Sequence, residues 1–176
     1  MLNEIKKSVG IQLIGRKKNG QIIAILQVRA KWNSEKNSPE SFPGACQVSV
    51  HGGLEEGEDF IQALLREVGE ELGKDIIPAI KKLSDNNQLV ELINLEKSNK
   101  HVITYGALIE QEIYQKLLEK TKSNSFGGFR IIKSDEVDKI VDIKTFDKTI
   151  GITDEKVIAM FPDEKEALKI AFVKLG

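Results

Sequence analysis

Two periods run through the apolar positions of this chain. Gly10 to Lys17 (GIQLIGRK) and Gln21 to Ala30 (QIIAILQVRA) are apolar-rich runs of strand length meeting at Asn19-Gly20, a two-residue hairpin signal. Ala45 to Val50 (ACQVSV) alternates like a further strand. Gln88 to Leu95 and His101 to Ile109 form a second hairpin pattern around Ser98-Asn99-Lys100, and Phe129 to Lys133 reads as a strand after Gly127-Gly128. Elsewhere the period is helical. Ile61, Leu64, Leu65, Val68 and Leu72 lie on one helical face, as do Ile113, Leu117 and Leu118 within Glu110 to Lys122. Ala167, Leu168, Ala171, Phe172 and Leu175 give Asp163 to Leu175 the same character. Pro78 to Asn87 reads as a short helical or irregular connection, and Ser134 caps a short helix with Asp135 and Glu136 in its first turn. Lys31 to Gly44 is polar, holds two prolines and is expected to be a long loop of the kind that often carries function.

Composition narrows the class. The 176 residues, 40% hydrophobic and 30% charged, suit one globular domain over 1–176, with no repeat, low-complexity tract or linker. A net charge of −1 gives no general attraction to a nucleic-acid polymer or an anionic membrane, so contact with a polyanionic substrate must be local. The single cysteine, Cys46, excludes an intrachain disulfide and reads as a small buried strand residue rather than a nucleophile. MLNEIKKSVG lacks a signal-peptide core and no window approaches a membrane span, so a cytoplasmic setting is expected.

The chemistry concentrates between Gly52 and Gly73, in GGLEEGEDFIQALLREVGEELG. Glu58 and Asp59 suit the positive end of a helix dipole and Gly73 suits a left-handed residue beyond the last turn. Glu67, Glu70 and Glu71 stand at i, i+3 and i+4, which converges three carboxylates on a face turned away from the apolar stripe. Arg66, four residues before Glu70, offers one cation to three anions. The deficit points to a hard divalent cation of the magnesium type, which takes oxygen ligands and acts with substrate phosphates. A Gly52-Gly53 loop would let backbone oxygens or the substrate come close to that cation.

The spacing Gly52-x5-Glu58-x7-Arg66-Glu67-Val68-x-Glu70-Glu71-x-Gly73 resembles the signature of the Nudix hydrolases, and a chance match at a given start is on the order of 10⁻⁸. The resemblance departs at Lys74, where the family pattern has a hydrophobic residue; Leu72 and Ile76 are left to seat the helix. It implies an α/β/α sandwich with a mixed sheet, with which the element order is compatible. It also implies hydrolysis of a pyrophosphate bond in a nucleoside diphosphate linked to another group, by water activated on Mg²⁺ or Mn²⁺. On that resemblance Glu70 and Glu71 are the principal metal ligands, and Glu67 shares the role or serves as general base. Arg66 orients a glutamate, Glu58 is a structural partner or outer-sphere ligand, and His51 offers its backbone carbonyl to the metal. The His51 imidazole is open to two uses, reaching a phosphate or packing structurally. Glu96, Glu110 and Glu112 are candidates for a base outside the signature.

Around the signature, Arg29 shares a strand face with Gln27 and is either a solvated strand-end residue or a phosphate contact. Trp32 stacks on a base or, as the favoured reading, packs into the core; Lys31 and Lys36 are candidates to meet substrate charge. The segment LQVRA to SFPGACQVSVHGG is also similar to the isopentenyl-diphosphate isomerase branch, which uses a cysteine and a histidine-rich metal site; here the histidines are His51 and His101 alone. A nucleotide-binding domain without turnover is the third reading. The expected partner is a small-molecule diphosphate, with a homodimer as a family possibility, and the sequence does not single out which diphosphate.

Overall fold

The computed structural model describes residues 5–34, 36–120, 122–123 and 126–176; Thr121, within the expected third helix, and the first four residues lie outside these. In chain order the elements begin with β1 (Lys6–Arg16), β2 (Ile22–Val28), β3 (Trp32–Asn33), β4 (Ser38–Pro39), β5 (Cys46–Gln47) and β6 (Val50–Gly53). Helices α1 (Phe60–Glu71) and α2 (Ile77–Asp85) follow, then β7 (Val90–Lys97), β8 (Lys100–Ile109), α3 (Gln111–Leu118) and β9 (Phe129–Ile132). The chain closes with β10 (Val141–Asp142), β11 (Ala159–Met160) and α4 (Pro162–Leu175).

Among the described residues seven strands form one mixed sheet. β1 is its spine, parallel to β8 from Lys6↔Lys100 to Gly15↔Ile109. Its other edge is shared, because β6 pairs antiparallel with residues 8–11 and β2 with residues 13–16. Alternation along β1 sends Val9, Ile11 and Leu13 to one face and Ile14 to the other. The first face meets α1, α2 and α3 through Leu64, Val68, Ile80 and Leu117, and the second meets α4 through Ala167, Leu168 and Ala171. Each such large apolar side chain contributes about 2 kcal/mol by leaving water. Helices on both faces of a mixed sheet give the expected α/β/α layering.

Where β2 and β6 diverge from β1, side chains take over the ladder. The Ser49 hydroxyl donates to the Ile25 carbonyl at 2.5 Å and accepts from the Leu13 N–H at 2.8 Å, while the Gln12 amide donates to the Leu13 and Ile25 carbonyls, each at 3.0 Å. This fork splits the expected Ala45 to Val50 strand into β5 and β6. It also places Gly52 and Gly53 in a strand, opposite Val9 and Ser8, and not in a loop.

Other boundaries shift for local reasons. α2 is a regular helix with Pro78 in its first turn, where a missing N–H costs nothing. α3 stops at Leu118, well short of Lys122, with Glu119 as its C-cap. Lys133, not Ser134, precedes the 3₁₀ helix Ser134–Lys139, and its N–H donates to the Glu136 carboxylate at 2.8 Å.

On the second face the Glu164 carboxyl is enclosed although the stem of the residue is partly exposed: Oε2 is inaccessible and has no hydrogen-bond partner among the described residues. Burial, reinforced by the Asp163 charge, pushes its pKa up to about 8. A carboxyl raised in the folded state contributes stability that is complete below its unfolded pKa and disappears as pH rises through about 8. Glu164→Gln is therefore expected to melt like the wild type at acidic pH and to be more stable, by on the order of 3 kcal/mol, in mildly alkaline buffer. Equal melting temperatures at both pH values would contradict an enclosed carboxyl.

Candidate active site

A cleft of about 1150 Å³ opens over the end of β6, the exposed side of α1 and the β3–β4 loop. Its acidic wall is α1. Asp59 caps this helix: its Oδ1 accepts from the Gln62 N–H at 2.8 Å, and the Gln62 side chain accepts from the Asp59 N–H at 2.9 Å. At the other end Gly73 takes φ +118°, the left-handed exit expected of it.

Asp59 thus acts as the cap, and Glu58 is committed elsewhere. Glu58 accepts from Arg66 Nε at 2.9 Å and Nη2 at 3.1 Å, and receives the Glu55 N–H at 2.9 Å. Arg66 also donates to the Gly53 carbonyl at 2.8 Å, to Glu67 at 2.9 Å and to Glu70 at 3.2 Å. One guanidinium therefore ties the strand bearing the glycine pair to three glutamates. Its bond to Glu58 holds the guanidinium pKa far up and the Glu58 pKa down.

The carboxylates do not all share one exposed face. Glu67 is 4% exposed and turned toward the sheet, whereas the Glu70 side chain is 46% exposed. Glu67 falls inward because position 67 is one turn beyond the buried Ala63 and Leu64. The room for it is made by Gly52: a Cβ there would lie 1.9 Å from the Glu67 carboxyl carbon. Glycine is required at 52 for space, not for an unusual backbone angle, since its φ is not positive. Glu71 lies at the end of the same wall, and its backbone carbonyl accepts from the Lys120 ammonium.

As these side chains stand, no three His, Cys, Asp or Glu groups among the described residues are gathered as a metal cage, and Nη1 of Arg66 draws both Glu67 and Glu70 to itself. The donor set nevertheless fits a hard cation. Glu67, Glu70 and Glu71 supply oxygen at the end of a cleft, and a half-exposed glutamate such as Glu70 is free to turn.

His51 precedes the glycines on β6 and lines the cleft. Its ring lies beside Gly10, whose added Cβ would meet it at 3.3 Å, and burial, with Lys100 adding to it, pushes its pKa down to about 4. The imidazole is thus a neutral, packed group. Arg29 lines the cleft but spends four of its five N–H groups internally, on the Ser41 carbonyl and hydroxyl, Glu40 and Gln47. Trp32 is 41% exposed at the cleft, so the core-packing reading of this residue fails: the short β3–β4 hairpin holds it clear of both apolar layers. Lys36 lines the cleft as well. None of Glu96, Glu110 and Glu112 is among the described residues that line it.

Three contributors had no sequence signal. Lys120, Ser123 and Phe126 reach the cleft from the segment after α3, with the Lys120 ammonium 4.7 Å above the Phe126 ring. Gln47 and Glu40 come from segments read only as strand and loop, and join Arg29 through tertiary contacts.

Solved structures with this architecture include a mutT/nudix family protein from Listeria innocua, with TM-score 0.61 and 19% identity over 97% of this chain and 93% of that one. A NUDIX hydrolase from Alicyclobacillus acidocaldarius matches with TM-score 0.54 and 11% identity over 98% and 93%. The Ap4A hydrolase of C. elegans matches with TM-score 0.50 and 16% identity over 98% and 99%. No curated protein sequence matches the chain. The NUDIX domain family matches residues 5–152, a span holding the whole cleft and its acidic helix. The chain belongs to the NUDIX family.

Proposed function

We propose that this enzyme cleaves a pyrophosphate bond in a nucleoside diphosphate linked to another group, with a divalent cation, Mg²⁺ or Mn²⁺, held by Glu67, Glu70 and Glu71 and by the His51 backbone carbonyl. The observation that carries this reading is the seat of Glu67, a buried carboxylate lodged where Gly52 lacks a Cβ and pinned by Arg66. A cation bound there supplies charge neutralisation for phosphate oxygens and lowers the pKa of water. Arg66 holds Glu67 in register with the Gly53 carbonyl, which fixes oxygen donors from helix and strand against one another. The space beside Gly52 is taken by the Glu67 carboxylate, whereas Gly53, where a Cβ would meet only the Lys7 carbonyl, presents the barer backbone of the two to a phosphate on the cleft wall.

The isomerase reading is disfavoured by Cys46, which is 1% exposed within the apolar layer on the second face, with a thiol pKa pushed up to about 11 by burial. Turnover of a panel comprising ADP-ribose, NADH, nucleoside triphosphates, dinucleoside polyphosphates and isopentenyl diphosphate, with Mg²⁺, Mn²⁺ or chelator, tests the reading. Metal-dependent phosphate or nucleotide release from one of them is the expected result. Isomerised isopentenyl diphosphate, or tight binding with no product from any compound, would overturn it.

A further inference from the structure

A substrate with two linked phosphates brings negative charge to a wall that is already acidic, so the cleft needs cations of its own. Among the described residues four cationic side chains line it, Arg29, Lys36, Arg66 and Lys120, against five glutamates. Two of the four are committed elsewhere. Arg66 donates all five of its N–H groups to Glu58, Glu67, Glu70 and the Gly53 carbonyl, and Arg29 donates four of its five to Ser41, Glu40 and Gln47. Lys36 is exposed on the β3–β4 turn, where its charge acts on Glu40.

Lys120 is placed differently. Its half-buried ammonium donates to the backbone carbonyl of Glu71, the last residue of α1, and stands 4.7 Å above the Phe126 ring. Phe126 is 8% exposed and meets the Phe129 ring of β9 edge-on at 5.0 Å, so the platform under the ammonium is fixed to the sheet. An ammonium has three N–H groups. The carbonyl takes one and the ring face at most one more, which leaves at least one for the cleft that Lys120 lines. The Glu71 carboxylate is also near enough for its charge to act on this ammonium. A cation at the last carbonyl suits the negative end of a helix dipole, and α1 has no basic residue of its own in its last turn. That role asks for a charge at the helix end, not for one inside the cleft with a donor to spare.

We infer that Lys120 is a binding residue for the diphosphate of the substrate, its ammonium held at the end of the acidic wall by the Glu71 carbonyl and the Phe126 ring and donating its remaining N–H to a phosphate oxygen. The inference rests on the proposed pyrophosphohydrolase reading and deepens it by naming the side chain that meets the diphosphate beside the cation. An ammonium anchored beforehand loses little freedom on binding, and its bond to phosphate is charge-assisted. Standing on Glu71, it shares the charge of the phosphates with a divalent cation held by the same residue.

Calorimetric titration with methylenediphosphonate, whose P–C–P bridge resists hydrolysis, tests this in Mg²⁺ buffer, beside Mn²⁺ binding to the protein alone followed by electron paramagnetic resonance. Lys120→Gln keeps a donor for the Glu71 carbonyl and loses the charge. It is expected to bind the diphosphonate about tenfold or more weakly than the wild type, with the gap narrowing as salt is added. Lys120→Arg keeps the charge and should recover most of the affinity. Mn²⁺ affinity should not fall in either variant, because a lost cation beside the carboxylates removes a repulsion. Melting curves establish that each variant is folded. Folded Lys120→Gln that binds the diphosphonate as tightly as the wild type would reduce Lys120 to a cation at the helix end. No binding by the wild type would overturn the inference as well. So would a loss of Mn²⁺ affinity matching the loss of diphosphonate affinity, since the lysine would then act by arranging the carboxylates. The two readings fail separately: a diphosphonate gap without pyrophosphate cleavage refutes the hydrolase alone, and cleavage without the gap refutes the role of Lys120 alone.

Discussion

Gly52→Ala is expected to lower turnover by on the order of 10²- to 10³-fold and to cost about 2 kcal/mol of stability. The new methyl carbon would stand 1.9 Å from the Glu67 carboxyl carbon and 2.3 Å from its Oε2. Contacts that close cannot be absorbed by breathing of a packed interior, so the carboxylate must leave its seat. Leaving breaks its bond to Arg66, and Arg66 in turn holds Glu58, Glu70 and the Gly53 carbonyl. A one-carbon change thus propagates through the whole constellation. Gly53→Ala is the internal comparison for stability: its Cβ would meet only the Lys7 carbonyl, at 3.9 Å, so it should melt close to the wild type. Activity assays and thermal melts of the two variants decide the matter, and a Gly52→Ala enzyme with wild-type turnover would show that Glu67 need not sit where it does.

Arg66→Met is expected to be the more destabilising change, by about 3 kcal/mol, and to reduce activity by on the order of 10²-fold. The methionine keeps apolar contact while removing all five donated bonds, which leaves the nearly buried Glu67 carboxylate without the cation beside it. The magnitude stays moderate because the guanidinium is itself 22% exposed, so water compensates part of the loss. Arg66→Lys should recover only a fraction of either quantity. An ammonium is a compact point charge and cannot span Glu58, the Gly53 carbonyl and Glu67 as the planar fork does. A lysine variant with wild-type stability and turnover would mean that charge alone suffices.

The acidic helix was legible because its residue spacing and its function coincide. Gly52, Glu58, Arg66, Glu67, Glu70, Glu71 and Gly73 lie within one short segment, where helical geometry alone dictates who meets whom. Even there, periodicity assigned Glu67 to the solvent face, because a carboxylate is read as polar; the space that admits it inward comes from a glycine on another element. By sequence alone Gly52 and Gly53 read as a loop, for a similar reason. Their pairing with Val9 and Ser8 depends on where β1 happens to end its pairing with β2, and the local sequence does not specify that. Trp32 and Arg29 could be named as candidates but not placed, since the β3–β4 hairpin and the Glu40 pairing are set by residues several positions away. Lys120 and Phe126 left no trace in the pattern, because α3 ends earlier than its apolar spacing suggests and the following segment reaches the cleft only in three dimensions.

The measurement that bears most directly on the proposed chemistry is the Mg²⁺ dependence of pyrophosphate-bond cleavage in Glu70→Gln against the wild type, on whichever panel compound the wild type turns over. Glu70 is half-exposed and its neutral replacement keeps shape and fold, so lost activity cannot be assigned to unfolding. The account expects cleavage to fall by on the order of 10²- to 10³-fold, the Mg²⁺ concentration for half-maximal rate to rise, and melting to remain near that of the wild type. Cleavage at the wild-type rate with an unchanged Mg²⁺ requirement would place the metal chemistry somewhere other than the carboxylate wall of α1.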